Sequence, residues 1–424
     1  MESKKGVAVR VNWSDLGTDL WSIIATRINC LQAFVTFGAV CKDWRSIASK
    51  ENWNRSAKVP WLLVAERVVK SSGGSSTRTS DFTIKPCDGS GNRVREFADL
   101  SGNRIYRINL PIDNILENPV APVSPFRENR YHLSSKGWFL IFEGCLSQLT
   151  LLNPFSLQKV VLPRPFSPPP VGIRPQVVGF ALSASPGLTS DFVVMIMYVS
   201  QPMRGRLAFF RNGDQEWTDV GGPGFTTRAN MTYHNGRFYA IYPRNDAFAF
   251  LVFEIEISKG GAASFSTRTR SFKYDHYSMC VFFWIVGSSQ GRLMLVCWSR
   301  EREYESSTNE FPGFIDLDVP DESPPFFEGS KSVFVVEEID FESGKSKKVN
   351  NFMEDQALFL GKHSSSFVRV CNQSIFKPNH IYFTLFDDDE DSFCCRVGLY
   401  NLDRRTSEQM PNTSLYVDWI EPSF

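Results

Sequence analysis

The stretch Tyr233-His234-Asn235-Gly236-Arg237-Phe238-Tyr239-Ala240 indicates the type of fold that most of this chain adopts. An Asn-Gly pair is typical of a tight turn, because both residues tolerate a positive φ at low cost. The residues that follow, 238–242, are rich in the aromatic side chains that strands favour. The stretch therefore predicts a turn that leads into a β-strand.

The same pattern extends in both directions from this turn, from residue 60 to the end of the chain. Turn signals such as 211–214 and 342–345 separate apolar runs of strand length. We expect strands at 61–66, 138–143, 149–153, 177–182, 192–199, 238–242, 248–257, 280–286, 292–298, 333–340, 381–386 and 397–402. No long helical pattern interrupts these runs, which argues against a parallel β-α-β architecture.

The number of strands points to one architecture in particular. About two dozen short strands over about 360 residues, at four strands per blade, fit a β-propeller of about six or seven blades. A β-sandwich is the alternative, although one sandwich rarely uses so many strands. We therefore predict a mainly β protein, with a propeller over residues 60–424 that follows a small α-helical unit.

That helical unit lies at residues 13–48, after a short tail at 1–12. Thr18 is expected to cap a first helix, whose buried stripe consists of Leu20, Ile23, Ile24 and Ile28. Two more short helices follow, with apolar positions at Leu31, Phe34, Val35, Val40, Cys41, Trp44 and Ile47. About 36 residues of this kind cannot form a well-populated core alone. A partner protein is therefore expected to cover much of the apolar stripe.

Composition and charge exclude several classes of protein. Of the 424 residues, 42% are hydrophobic and 14% aromatic, which is typical of a folded protein and not of a disordered one. The 46 basic and 46 acidic residues cancel, so no overall field steers the chain to nucleic acid or a membrane. Residues 1–59 carry 9 basic and 5 acidic residues, which leaves 37 and 41 for the rest. This modest asymmetry suggests two units but identifies no ligand.

The sequence also indicates in which cell compartment the protein is expected. The apolar stretch after Lys4 and Lys5 is too short for a signal peptide, and the runs at 192–199 and 280–286 are too short to span a membrane. The nine cysteines include no C-x-x-C pair, so neither a disulfide scaffold nor a zinc module is indicated. We expect a reduced protein of the nucleus or cytoplasm, without a metal or cofactor.

Two segments interrupt the strand pattern. Residues 70–80 are polar and rich in Ser and Gly, which predicts a flexible loop. Residues 300–330 contain nine acidic residues, two basic ones and four prolines, which predicts a long acidic loop. The loop is a candidate substrate contact with Phe311, Phe314, Phe326 and Phe327 as anchors, or else a tolerated insertion without a partner.

Residues 13–54 resemble an F-box. The resemblance rests on 13–20, which reads Trp-Ser-Asp-Leu-Gly-Thr-Asp-Leu, and on Val40-Cys41-Lys42-Asp43-Trp44-Arg45. A Leu-Pro pair opens the first helix in that family, whereas this chain has Leu16-Gly17 and lacks the fixed φ of proline. The resemblance implies that a Skp-type adaptor binds Leu16, Leu20, Ile23, Ile24, Ile28, Val40, Cys41 and Trp44.

The rest of the chain resembles the β-domain that follows the F-box in a large plant family, the KIB-type, kelch-like proteins. The matching pieces are 60–63, 133–140, 151–156, 207–211, 217–218, 233–240, 357–361, 381–384 and 399–402. Their order along the chain makes the match specific. It implies a kelch-like propeller that binds an unknown protein substrate for ubiquitination, while a cullin and a RING protein join through the adaptor. No catalytic residue carries over from that family.

The sequence gives little support for a catalytic function. Gly287-Ser288-Ser289-Gln290-Gly291 matches the G-x-S-x-G motif of hydrolases, but that motif needs a helix after it, and 292–298 has the pattern of a strand. A cysteine-based ubiquitin-transferring enzyme needs an exposed thiol, yet most cysteines here have apolar neighbours. We therefore predict a hairpin turn at 287–291 and no catalytic activity. The remaining alternative is a propeller scaffold outside any ligase, whose N-terminal helices cap the fold.

Overall fold

The computed structural model describes residues 16–28, 30–55, 58–64, 93–100, 104–110, 133–143, 148–165, 176–200, 204–222, 229–244, 249–258, 264–273, 280–288, 290–301, 331–352, 355–361, 364–370, 375–385, 396–414 and 416–423. The tail 1–12, the loop 70–80 and residues 302–330 of the acidic loop lie outside these ranges. The strands form six sheets, and the protein is a six-bladed β-propeller. The lower of the two expected blade numbers is confirmed, and the sandwich alternative is wrong.

The first five blades each contain four antiparallel strands. Blade 1 consists of β25 (Tyr416–Ile420), β1 (Trp61–Val64), β2 (Arg93–Asp99) and β3 (Arg104–Leu110). Blade 2 has β4 (Ser134–Ser135), β5 (Trp138–Glu143), β6 (Gln148–Leu152) and β7 (Lys159–Val161). Blade 3 has β8 (Gln176–Leu182), β9 (Val193–Ser200), β10 (Arg204–Arg211) and β11 (Thr218–Gly221). Blade 4 has β12 (Asn230–His234), β13 (Arg237–Arg244), β14 (Ala249–Ile257) and β15 (Phe265–Lys273). Blade 5 has β16 (Cys280–Gly287), β17 (Leu293–Glu301), β18 (Lys331–Asp340) and β19 (Lys345–Lys348).

Blade 6 is built differently, with five strands in the order β21-β20-β22-β23-β24. Their bounds are β20 (Gln356–Leu360), β21 (Ser365–Arg369), β22 (His380–Leu385), β23 (Arg396–Asn401) and β24 (Thr406–Ser414). β20 and β22 run parallel, with Leu358 opposite Ile381. Strands β21 and β22 lie on opposite sides of β20, so the chain crosses β20 between them. Strands β23 and β24 then continue the blade outward.

Blade 1 closes the ring. Its inner strand, β25, comes from the C-terminal side of the chain and pairs antiparallel with β1, so that Trp61 lies opposite Ile420. The two ends of the propeller are thereby joined by backbone hydrogen bonds, and the ring of blades has no open gap between first and last.

Aromatic side chains fill the spaces between blades, as the high Phe content favoured. One cluster spans blades 5 and 6 and includes Trp284, Phe334 and Phe383, all almost fully buried. The rings of Phe334 and Phe383 lie 4.8 Å apart, and Trp284 Nε1 donates a hydrogen bond to the Gly361 carbonyl at 2.6 Å. Burial of each such side chain contributes about 1.5–3 kcal/mol, so the blades are held together mainly by these contacts.

Two predicted turns are seen. Asn235 and Gly236 have φ of 47° and 83° and join β12 to β13. His234 was expected in the turn, but it is the last residue of β12. The hydrolase-like segment connects the antiparallel strands β16 and β17, so it is a hairpin connection without a following helix; Ser289 lies outside the described residues. Arg300 and Glu301, expected in the acidic loop, belong to β17.

In the described part of the chain, four short helices precede the propeller: α1 (Thr18–Ala25), α2 (Leu31–Ala39), α3 (Lys42–Ile47) and α4 (Lys50–Arg55). The expected cap at Thr18 is wrong, because Gly17 is the N-cap and its carbonyl accepts hydrogen bonds from the N–H groups of Leu20 and Trp21. Helix α4 was not expected. None of the helices in the described ranges has the length and apolarity that a membrane span requires.

The helical segment has a core of its own, which corrects the expectation that so few residues could not form one. The core consists of Trp21, Ala25, Phe34, Phe37, Ile47 and Trp53. Large aromatic side chains make this possible, because each fills the volume of several aliphatic groups. The rings of Trp21 and Trp44 lie 3.9 Å apart, and those of Phe34 and Trp53 lie 5.1 Å apart.

Candidate functional site

The first candidate surface is the outer face of α1. Leu20, Ile23 and Ile24 are 50%, 48% and 36% exposed, and their i, i+3, i+4 spacing places them on one side of the helix. The side turned inward carries Trp21 and Ala25. The predicted buried stripe is therefore wrong, because α1 is apolar on both sides and the large ring of Trp21 takes the inner position. We call Leu20, Ile23 and Ile24 the α1 surface.

The remaining predicted adaptor-binding residues divide into two groups. Val40, at the end of α2, is 59% exposed, and Cys41 is exposed at the N-cap of α3. Both residues are therefore open to a partner. By contrast, Leu16, Ile28 and Trp44 are partly buried against the core of the helical segment. Val35 on α2 is 58% exposed and was not among the expected site residues.

The helical segment is attached to the propeller by polar contacts. Trp53 Nε1 donates a hydrogen bond to the carbonyl of Pro422 at 3.0 Å. Lys58, whose side chain is 2% exposed, forms an ion pair with Glu421 at 3.1 Å. Gln32 on α2 accepts a hydrogen bond from Arg104 on β3 at 2.8 Å. The residues that follow β25, 421–423, therefore form a junction between the helices and blade 1.

The second candidate surface is one end of the central channel. Here the inner strands β25, β4, β8, β12 and β16 end, and β21 begins, around a cavity of about 320 Å³. All six blades contribute residues to its lining. Of the residues that the structure describes, six serines line it: Ser134, Ser135, Ser288, Ser364, Ser365 and Ser366. We call this cavity the channel mouth.

The charges at the channel mouth are few. Among the described residues that line it, Lys136 and Glu421 carry charge. Lys136 adopts a φ of 48°, and its ammonium lies 5.9 Å from the centre of the Tyr233 ring. Burial, and then the negative charge of Asp191, raise the pKa of the Tyr233 phenol above its ordinary value. Tyr233 therefore stays neutral at physiological pH and supplies a hydroxyl donor.

The predicted substrate anchors Phe311, Phe314, Phe326 and Phe327 lie outside the described residues. The channel mouth was not predicted as a site, although the run Ser364-Ser365-Ser366 was a visible signal in the sequence. Within the described part of the chain, no group of three or more His, Cys, Asp or Glu side chains could hold a metal ion.

Comparison with solved structures gives weak likenesses. TolB from Acinetobacter baumannii is 11% identical with a TM-score of 0.40, and the match covers 85% of this chain and 66% of TolB. A Synechocystis apocarotenoid oxygenase mutant is 11% identical with a TM-score of 0.36, over 86% of this chain and 90% of the oxygenase. An Aleuria aurantia lectin mutant is 9% identical with a TM-score of 0.27, over 78% of this chain and 92% of the lectin. No curated protein sequence matches the chain.

A comparison with family models shows the family of this chain, which the weak structural likenesses do not. The family model of the KIB1-4 beta-propeller matches residues 97–401, which is more than two thirds of the chain. The matched residues run from β2 to β23, so they include strands of all six blades. The chain belongs to the KIB1-4 beta-propeller family.

Proposed function

We propose that this protein is the substrate-recognition subunit of an SCF-type ubiquitin ligase complex, in a plant cell's nucleus or cytoplasm. Its helical segment binds a Skp-type adaptor and, through it, a cullin and a RING protein. Its propeller binds a protein substrate, and the chain itself has no catalytic role. One observation carries the proposal: the α1 surface stays exposed although the helical segment has completed its own core.

The energetics of the α1 surface support a protein partner. Fully burying a Leu or Ile side chain contributes about 1.5–3 kcal/mol, and the three residues of this surface are about half exposed. Contiguous apolar positions of this kind on a soluble protein mark interaction sites more often than chance exposure does. Val40 and Cys41, which match the V-C-K-x-W-R run of the F-box pattern, are exposed as well.

One observation favours the alternative, a propeller scaffold outside any ligase. The contacts of Trp53 with Pro422 and of Lys58 with Glu421 fix the helices to blade 1, as a structural cap would be fixed. A cap, however, has no need of an apolar outer face. The two functions differ in whether the adaptor binds.

The test is co-purification of a Skp-type adaptor with the full chain carrying Leu20→Lys and Val40→Lys. Each lysine places a charge in the proposed interface, where desolvating it without a partner is costly, so we expect adaptor recovery to fall at least about tenfold. The matched control is Leu188→Lys, because Leu188 in blade 3 is also 50% exposed. Undiminished recovery with the double variant would exclude this surface as the adaptor site, and absence of adaptor from the wild-type preparation would favour the scaffold.

A further inference from the structure

The channel mouth carries hydrogen-bond donors that the fold itself does not use. Thr232, Tyr233, Ser365 and Ser366 line the cavity, and within the described part of the chain their hydroxyls form no hydrogen bond. All four residues are partly exposed, so a ligand can reach their hydroxyls from the cavity. These four hydroxyls are therefore available to a bound group.

Two further serines retain a donor although each has a partner. Ser135 Oγ accepts a hydrogen bond from the backbone N–H of Leu182 at 3.0 Å, and Ser288 Oγ accepts one from Arg292 N–H at 3.1 Å. A hydroxyl that accepts a hydrogen bond keeps its own proton for donation. The channel mouth thus offers six hydroxyl donors from four blades.

Among the described residues near the cavity, one cationic side chain, Lys136, forms no ion pair with a carboxylate. Glu421 is held by the buried Lys58. Asp418, which lies behind Ser364 and is 3% exposed, accepts hydrogen bonds from Ser364 Oγ at 2.7 Å and from the Trp419 N–H at 2.8 Å. Asp191 is exposed, as Lys136 is, and its charge acts on Tyr233, but within the ranges that the structure describes it forms no ion pair with Lys136. Among the described residues, the Lys136 ammonium contacts the face of Tyr233, while the Lys136 carbonyl accepts a hydrogen bond from Ser423 Oγ at 3.4 Å.

The backbone holds Lys136 at this place. Lys136 and the following Gly137 both have positive φ, 48° and 77°. A non-glycine residue is uncommon in this left-handed region. A Cβ at position 137 would lie 1.9 Å from Ser423 Oγ, so the turn packs tightly against the junction residues. The lysine is therefore presented at the cavity by a fixed turn and not by a mobile loop.

We propose that the channel mouth binds an oxyanion-bearing side chain of the protein substrate, a carboxylate or a phosphate. This inference deepens the proposed receptor function and rests on it. Lys136 supplies the opposite charge, and the free hydroxyls, which include those of Ser365 and Ser366, donate hydrogen bonds to the oxygens. A cavity of about 320 Å³ admits a side chain on an extended segment, but not a folded surface.

The position of the cavity links it to the helical segment. Pro60 and Glu421 line the channel mouth, and the next residue, Pro422, contacts Trp53 of α4. A substrate bound here lies on the side of the propeller that carries the helices, and hence near the proposed adaptor. The face of the propeller that the substrate uses is thereby assigned.

The experiment uses the purified full chain and three pools of fluorescent heptapeptides, degenerate except at the central residue, which is Glu, phosphoserine or Gln. Binding is followed by fluorescence anisotropy at low and high salt. We expect the Glu or phosphoserine pool to bind more tightly than the Gln pool, with affinity falling as salt rises. Preference for phosphoserine over Glu identifies phosphate as the source of the oxyanion, and the reverse identifies a carboxylate.

The main variant is Lys136→Asn, because Asn tolerates a positive φ and removes the charge. We expect this substitution to lower the affinity for the preferred peptide pool at least about tenfold, since a hydrogen bond to a charged group is among the stronger ones. Lys347→Asn on the exposed strand β19 is the matched control, and Ser365→Ala with Ser366→Ala is a second variant should Lys136→Asn fail to fold.

Three outcomes overturn the inference: no pool binds, the Gln pool binds as well as the acidic ones, or neither variant weakens binding. Adaptor co-purification is measured on the same preparations. A chain that still recovers adaptor but binds no acidic peptide disproves the channel-mouth assignment and leaves the receptor function standing. A chain that recovers no adaptor disproves the receptor function instead.

Discussion

At the scale of single residues, Gly17 stands where the F-box pattern has proline, and its backbone has a conformation open to proline. Its φ of −62° and ψ of 151° are values that proline adopts readily. A Cβ at this position would meet no atom within 4 Å. The backbone is therefore already arranged for the proline that the F-box pattern has here, and glycine only leaves the unfolded chain freer.

We predict that Gly17→Pro stabilises the helical segment by about 0.4–1 kcal/mol, because it reduces the entropy of the unfolded chain without straining the folded one. Thermal unfolding of the full chain, followed by tryptophan fluorescence, measures the change. Gly17→Ala is the control and should give a smaller gain. A melting temperature that falls for proline but not for alanine would show that the backbone before α1 cannot accept the ring.

Which face of α1 is buried could not be predicted from its residues. The helix reads Thr-Asp-Leu-Trp-Ser-Ile-Ile-Ala, so apolar side chains lie on both sides and periodicity gives no unique inner stripe. The choice is made by contacts with Phe37 and Trp44, whose rings lie against Trp21. Those contacts join residues of different helices, and a single helix does not encode them.

At the scale of elements, a network of charges joins blades 4 and 5. Arg268 on β15 donates two hydrogen bonds to the Glu342 carboxylate, both at 2.8 Å, and also binds Glu254, which is 3% exposed. The Tyr239 hydroxyl donates a hydrogen bond to the Glu254 carboxylate at 3.0 Å. Burial, followed by the charge of Glu254, raises the pKa of Tyr239 to about 12. The buried Glu254 carboxylate thus contacts three groups, since Arg237 Nη1 also lies 3.6 Å from it.

The network predicts an acid-sensitive contact between the two blades. Hydrogen bonds from Arg268 lower the pKa of Glu342 below its ordinary value. Its contribution to stability is therefore complete above the unfolded-state pKa and is lost as the pH falls through the lower, folded-state pKa. We expect Glu342→Gln to lower the melting temperature at pH 7, and the difference from wild type to shrink progressively below about pH 4.5.

Melting curves of both proteins between pH 7 and pH 3 make this comparison. Glu408→Gln, which changes an exposed carboxylate on β24, serves as the control and should shift the curve little at any pH. A Glu342→Gln difference that stays constant down to pH 3 would mean that the carboxylate does not stabilise the blade contact through its charge.

Elements defined by local signals could be predicted, and those defined by distant pairing could not. The turn at Asn235 and Gly236 was predicted because its backbone geometry depends on those two residues. Strand β15 was missed because it is an outer strand whose residues are mostly exposed and polar, so it lacks an apolar alternation. The parallel pairing of β20 with β22 depends on a crossover, for which the sequence has no local signal.

At the scale of the whole molecule, the junction formed by residues 421–423 connects the helical segment with the channel mouth. These residues follow the strand that closes the ring, contact the helices through Trp53 and Lys58, and border the channel mouth. The propeller class and an expectation of six or seven blades followed from counting strands. The channel mouth could not be predicted, because its residues come from six blades and meet only after the ring has closed.

The central claim is that the helical segment is the adaptor-binding part of a substrate receptor. Hydrogen–deuterium exchange of the full chain, alone and with a purified Skp-type adaptor, tests it most directly, because it reports which backbone amides a partner protects. We predict slower exchange over α1 and around Val40 and Cys41 when the adaptor is present, with the strands of the six blades unchanged. Unchanged exchange in the helices, or protection confined to the propeller strands, would contradict the account.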